Sequence, residues 1–227
     1  MTGAQAMILA AGRGERMRPL TDTCPKPLLE VRGKPLIGWH LDALRAAGFT
    51  EAVINTAWLG DQIESRYGAA SDGVRIRYSH EGTALETAGG ILRALPLLDD
   101  GFCLMAGDVY MPGFSFSREA LARFRAGGML AHLFLVPNPE HNPKGDFGLA
   151  DDGRALNQAD VRHTYSTCGM FRHALFDGLA PGNPDGLKLS LAPLLRQAMD
   201  RGLVTAELYT GAWTDVGTPA RLAALNP

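Results

Sequence analysis

Short apolar runs alternate with stretches carrying apolar residues every three to four positions along the first half of the chain. Ala6-Met7-Ile8-Leu9-Ala10 is a continuous apolar run that breaks at Gly12, which predicts a buried strand followed by a loop. From Pro35 to Ala47, Leu36, Ile37, Leu41 and Leu44 fall at helical spacing and the pattern stops at Gly48, so a helix packed on a sheet is expected. Ala52-Val53-Ile54-Asn55 reads as a short strand, Asp61 to Tyr67 as a helix, and Val74 to Tyr78 as an alternating strand. His80 to Gly90 is expected to be a loop leading into a helix over Ile91 to Leu98. Phe102 to Met105 is a fully apolar strand that runs into Gly107-Asp108.

The repeated order of strand, loop and helix predicts an α/β fold. Its expected form is a Rossmann-like, mostly parallel central sheet with helices on both faces and the ligand at the carboxyl ends of the strands. Leu121 to Ala126 also reads as a helix and Leu130 to Val136 as another buried strand. Beyond Pro137 the pattern changes. Asn138 to Gly153 is rich in Pro, Gly and Asn, and short strands near Ala155 and over Tyr165 to Phe171 predict hairpins folding over the sheet edge. A helix over Leu191 to Met199, a strand over Val204 to Tyr209 and a short helix over Pro219 to Leu225 follow. One domain is expected over residues 1–227, with residues 1–136 as its first half and 137–227 as a smaller, β-rich half.

Composition narrows the function more than the fold. With 227 residues, 46% hydrophobic and 20% charged, the chain can bury a full core, and disorder is not expected. A net charge of -2, with arginines scattered among acids, argues against a nucleic-acid surface or a membrane patch, so any basic site must be local. The first apolar run lacks a basic flank and is too short for a signal peptide. Met129 to Val136 contains His132 and falls far below the ~20 residues of a membrane span. A cytoplasmic protein, active as a monomer, is the expectation. Cys24, Cys103 and Cys168 are odd in number and far apart, which fits reduced thiols used in packing.

The candidate chemistry starts where the first strand ends. Leu9 to Glu30 carries Gly12 and Gly14 among Arg13, Arg16, Arg18 and Lys26. Glycines let backbone N–H groups approach an anion closely, and the cations supply charge, a combination suited to the phosphates of a nucleotide. The best-known glycine loops do not fit. Glu15 and Arg16 follow Gly14 where a P-loop needs Lys and then Ser or Thr, and Met17 stands where the dinucleotide fingerprint needs a third glycine. Lysine is scarce in the chain, occurring only as Lys26, Lys34, Lys144 and Lys188, which singles out Lys26.

The glycine turn, Arg16 and Pro25-Lys26-Pro27-Leu28, in this order, resemble the opening signature of the sugar-1-phosphate nucleotidyltransferases. The resemblance implies the nucleotide-diphospho-sugar transferase fold and, as substrates, a nucleoside triphosphate and a sugar 1-phosphate. It implies that Ala11, Gly12, Gly14, Arg16 and Lys26 hold the nucleotide, together with Thr83, Thr87 and Gly89, and that Arg16, Lys26 and Asp108 are catalytic. Asp108 and Asp215 each follow a candidate strand and adjoin a glycine, so one sheet edge could bring them together. Two carboxylates there suit Mg²⁺, which takes oxygen ligands and completes its shell with water and phosphate oxygens. Transfer of a nucleotidyl group requires in-line attack on the α-phosphorus and no protein nucleophile, so positioning and charge neutralisation carry the catalysis. Arg16 is assigned to the leaving pyrophosphate, Lys26 to the phosphate under attack.

Asn55 to Gly60, Leu85 to Gly90 and Leu191 to Met199 are most similar to the branch of the family that uses UTP and muramate 1-phosphate. The chain departs from relatives at Thr83-Ala84 and at Ala106. Backbone groups around Thr83, Thr87 and Gly89 could match uracil, whereas Glu81 or Glu86 would suit guanine, and both bases stay open. Muramate carries a carboxylate, which calls for a cation. Lys188 is the candidate, with Lys144 and Arg172 behind it; the branch carries a lysine nearer the Leu-Ala-Pro-Leu-Leu run, where this chain has Ser190. Asp146 and Gly148 are expected at the sugar. Mannose 1-phosphate with GTP, glucose 1-phosphate with dTTP, and a nucleotide-sensing subunit of the same fold are the alternatives.

Overall fold

The first apolar run forms β1, Gln5–Leu9, in the computed structural model, which describes residues 5–227. Next come β2 (Glu30–Val31), β3 (Lys34–Pro35), α1 (Leu36–Ala46), β4 (Glu51–Thr56), α2 (Gly60–Tyr67), β5 (Ala70–Ser71), β6 (Val74–His80) and α3 (Glu86–Ala94). The middle of the chain gives β7 (Phe102–Ala106), β8 (Val109–Tyr110), α4 (Arg118–Ala126), β9 (Ala131–Val136), β10 (Gly148–Leu149), β11 (Ala155–Leu156) and β12 (Thr164–Phe171). The last elements are α5 (Leu191–Asp200), β13 (Val204–Leu208), β14 (Thr214–Asp215) and α6 (Pro219–Leu225).

Eight strands form one sheet in the order β13-β9-β12-β7-β1-β4-β6-β5. β1 lies parallel to β4 and β7, with Met7 opposite Val53 on one side and Leu104 on the other. Side chains alternate across a strand. Ile8 therefore joins a core with Ile37, Leu41 and Leu44 of α1, while its neighbour Met7 joins one with Ile91 and Leu92 of α3 and Leu195 of α5. The sheet thus has helices on both faces, as its apolar runs predict. Each fully buried aliphatic side chain contributes about 1.5–3 kcal/mol. A third cluster of Met17, Leu29, Val31, Leu36, Tyr110 and Val216 ties the glycine loop to β8 and to the residue after β14.

Two expectations need correction. Thr164–Phe171 is not a hairpin over the edge but an internal strand, antiparallel to both β7 and β9. Its second half, Cys168 to Phe171, is buried, as a strand with neighbours on both sides must be. Only β10 and β11 form a separate hairpin in that region. The helix predicted over Ile91 to Leu98 starts earlier, at Glu86, and ends in a 3-10 turn over Leu95–Leu97. Gly89 and Gly90, which suggested a loop, are buried inside α3. No helix among the described residues is long and apolar enough to cross a membrane.

Candidate active site

At the carboxyl edge of β1, β4 and β7 lies a cavity of about 510 Å³. Ala10, Ala11 and Gly12 line it where the chain leaves β1, and Asn55, Glu81 and Asp108 line it from the ends of the neighbouring strands. Because β12 runs antiparallel, its early residues Tyr165 and Thr167 reach the same edge, and α5 closes another side with Leu191, Ala192, Leu195 and Arg196. Glu86 and Thr167, both lining the cavity, have positive φ values of 62° and 64°. Such a backbone costs energy, the more so for a β-branched residue such as Thr167, and strain of this kind collects at ligand sites.

Among the lining groups is a fixed polar network. The Ala10 N–H donates to Asn55 Oδ1 at 2.7 Å, Asn55 Nδ2 donates to Glu81 Oε1 at 2.6 Å, and the Leu85 N–H donates to Glu81 Oε2 at 2.8 Å. Burial raises the Glu81 carboxyl above its ordinary range, and these hydrogen bonds oppose the rise. Gly90 makes room for the network, since a Cβ there would stand 2.3 Å from Glu81 Oε1 and 2.8 Å from Asn55 Nδ2.

The cationic end is built by short turns. Gly14 has φ +64°, and a Cβ on it would come within 2.8 Å of Thr21 Cγ2, while the Thr21 hydroxyl donates to the Gly14 carbonyl at 2.7 Å. Gly14 therefore shapes the loop and does not line the cavity. Gly12 has open space around it and does line it. Lys26 begins a 3-10 turn, is 8% exposed, and is ion-paired with Asp108. Arg16 is exposed and stands outside the lining, and Arg13 stacks on Trp58 at 4.3 Å.

Asp215 is brought to Asp108 by a short antiparallel ladder. Asp215 pairs with Val109 across β8 and β14, and the Val216 N–H donates to the Asp108 carbonyl at 2.9 Å. Arg221 from α6 is ion-paired with Asp215, and His141 Nε2 lies 2.9 Å from Asp215 Oδ1. Neighbouring backbone positions thus bear two carboxylates, each balanced by one protein cation, Lys26 for Asp108 and Arg221 for Asp215. An all-oxygen pair of this kind fits the donor set of Mg²⁺, which uses one or two protein carboxylates. His40 is buried near Asp108, and its pKa is pushed down to about 4, chiefly by burial.

Of the residues singled out from sequence, Ala11, Gly12, Lys26, Thr87, Asp108 and Asp146 line the cavity. Gly14, Arg16, Thr83, Gly89, Gly148, Lys188 and Asp215 do not. Gly89 instead receives the segment after Lys188: its N–H donates to the Leu189 carbonyl at 3.1 Å, and a Cβ would meet the Leu187 carbonyl at 2.5 Å. Gly148 is buried, with no room for a Cβ beside Ala159. Lys188, Lys144 and Thr83 are exposed, and Arg172 is ion-paired with Asp100 at 2.8 Å. Asp146 accepts from the Tyr165 N–H at 2.8 Å and from Asn142 Nδ2 at 3.2 Å, so it braces the loop as well as facing the cavity. Sequence reasoning missed Asn55, Tyr165, Thr167 and Arg196 as lining residues. The only available signal was that three of them sit in strands aimed at the carboxyl edge, or in the first residues of an antiparallel one. Cys103 and Cys168 are buried, and Cys24 is partly so.

A glycine loop and a buried lysine paired with a carboxylate at this edge are groups suited to the phosphates of a nucleotide, the class of ligand that a nucleotidyl-transferring enzyme handles. The chain belongs to the nucleotidyl transferase family, whose model matches residues 5–227. It is 51% identical, over 96% of its length and 95% of the relative's, to the N-acetylmuramate alpha-1-phosphate uridylyltransferase of Neisseria meningitidis serogroup B. It is 34% identical to the protein of that name from Caulobacter vibrioides, over 96% of this chain and 94% of that one. A solved structure from Bacillus anthracis, described as a glucose-1-phosphate thymidylyltransferase, shares the fold with a TM-score of 0.79 at 22% identity, covering 98% of this chain and 94% of that one.

Proposed function

We propose that the protein joins N-acetylmuramate 1-phosphate to UTP, releasing pyrophosphate and giving UDP-N-acetylmuramate, in the recycling of peptidoglycan. The observation that carries this reading is the 51% identity to a relative of that name along nearly the full length of both chains. An oxygen of the sugar phosphate attacks the α-phosphorus of UTP, the bond to the β-phosphate bridging oxygen breaks, and pyrophosphate leaves with that electron pair. Lys26, buried at the cavity wall, neutralises the phosphate under attack, and the backbone at Ala11 and Gly12 cradles the triphosphate. Arg16 serves the leaving pyrophosphate from the same loop.

Asp108 and Asp215 would hold Mg²⁺, which supplies positive charge to the triphosphate oxygens when bound. Thr87, with Ala84 beside Thr83, would serve the base, and Asp146 the sugar, since these three line the cavity. In this reading residues 1–136 mainly serve the nucleotide and 137–227 the acceptor, within one domain. A UTP-consuming enzyme of this kind acts in the cytoplasm. The test is pyrophosphate release over a grid of UTP, GTP and dTTP against N-acetylmuramate, mannose and glucose 1-phosphates. The highest kcat/KM is expected for the muramate and UTP pair, and a preference for any other pair would overturn the assignment.

A further inference from the structure

We infer that Arg196 reads the carboxylate of the acceptor sugar and so sets the preference for muramate over sugars that lack the lactyl group. This inference rests on the substrate proposed above. Helix α5 presents Leu191, Ala192, Leu195 and Arg196 to the cavity, positions that share one helical face. Among the described residues only two basic side chains, Lys26 and Arg196, line that cavity, and Lys26, ion-paired with Asp108, is the one assigned to the phosphate under attack. Lys188, the lysine that the sequence brings forward, is exposed and outside it.

The guanidinium of Arg196 is fixed without being neutralised. Its Cζ lies 5.1 Å from the centroid of the Phe147 ring, and Nη1 donates to Asn157 Oδ1 at 2.6 Å. The Asn157 amide donates in turn to both oxygens of Asp200, at 3.0 and 3.2 Å, which turns its own carbonyl oxygen toward the arginine. Among the described residues no carboxylate stands within ion-pair distance of Arg196, and its Nε and Nη2 have no hydrogen-bond partner. A planar guanidinium held by an aromatic face and a neutral amide keeps its charge and two donors for a ligand, and such a fork matches a carboxylate. Tyr165, whose ring centroid lies 6.3 Å from that of Phe147, also lines the cavity, and its hydroxyl is buried with no partner among the described residues.

N-acetylglucosamine 1-phosphate differs from N-acetylmuramate 1-phosphate only in lacking the lactyl ether, which makes the two a direct probe. Steady-state kinetics with UTP and Mg²⁺ are measured for the wild type, Arg196→Gln and Arg196→Lys, with thermal midpoints as the check on folding. Loss of a charge-assisted hydrogen-bonding group should cost Arg196→Gln roughly 10- to 100-fold in kcat/KM for the muramate substrate, mostly through KM. Turnover of the glucosamine substrate should stay within about threefold, and Arg196→Lys should recover part of the muramate KM. Equal losses on both substrates would make Arg196 structural and overturn the inference, as would no loss on muramate. A wild type that shows no preference for muramate would overturn the substrate assignment itself, and the inference with it.

Discussion

Lys26 is a lysine buried to 8% exposure, and the ion pair with Asp108 compensates its charge. Its removal strips the cavity of the cation proposed to serve the phosphates. Lys26→Ala should therefore lower kcat/KM by at least about 100-fold, the scale of losing one electrostatic donor, while circular dichroism remains that of the folded protein. His40 makes a different prediction. Its pKa in the fold is about 4, below the ordinary 6.5, because burial disfavours the charged ring. Between pH 6.5 and 4 the unfolded chain binds a proton there that the folded one does not, so stability is full above 6.5 and falls as pH drops toward 4. The loss is on the order of 3 kcal/mol. In urea titrations at pH 7 and pH 4, His40→Gln should lose less stability on acidification than the wild type by about that amount. Equal acid sensitivity in the two proteins would contradict it.

The element that most exceeds its sequence pattern is α3. Two adjacent glycines weaken a helix by about 1 kcal/mol each relative to alanine, yet the helix runs through them. Tertiary contacts decide. Gly89 lets the chain at Leu187 and Leu189 lie against the helix, and Gly90 lets the Glu81–Asn55 pair do so on another side. Gly89→Ala gains helix propensity worth about 1 kcal/mol, but its Cβ would stand 2.5 Å from a backbone carbonyl that cannot swing away. Overpacking typically costs about 1–3 kcal/mol, so the net effect should be destabilising by about 1–2 kcal/mol, read as a lower thermal midpoint. A midpoint that rises would show that the 187–189 segment yields freely. Strand β12 teaches the same lesson. Its buried residues were legible as a strand, but a run of apolar residues does not say whether the strand sits at an edge or between β7 and β9.

At the scale of the molecule, the β8–β14 ladder brings one acid from the middle of the chain and one from near its end to neighbouring positions. The protein balances both without help, through Lys26 on Asp108 and through Arg221 on Asp215, with His141 Nε2 also in contact with Asp215. Chelation by EDTA should accordingly abolish nucleotidyl transfer while shifting the thermal midpoint by no more than about two degrees. A large drop in the midpoint would mean that divalent metal holds the fold together, contrary to this account.

The sequence by itself determined the strands, the helices on both faces and the glycine loop, and it singled out Lys26 and Asp108, which both line the cavity. These rest on local periodicity and on residues close together along the chain, which survive whatever the rest of the molecule does. Tertiary structure alone decided that β12 is internal, that Gly89 packs instead of binding, and that Arg196 rather than Lys188 faces the cavity. Each of those outcomes depends on a partner far away in the chain: Asn157 and Phe147 for Arg196, residues 187–189 for Gly89, β7 and β9 for β12. A periodic pattern records which face a residue turns inward, but only the crossing of distant segments fixes what that face meets.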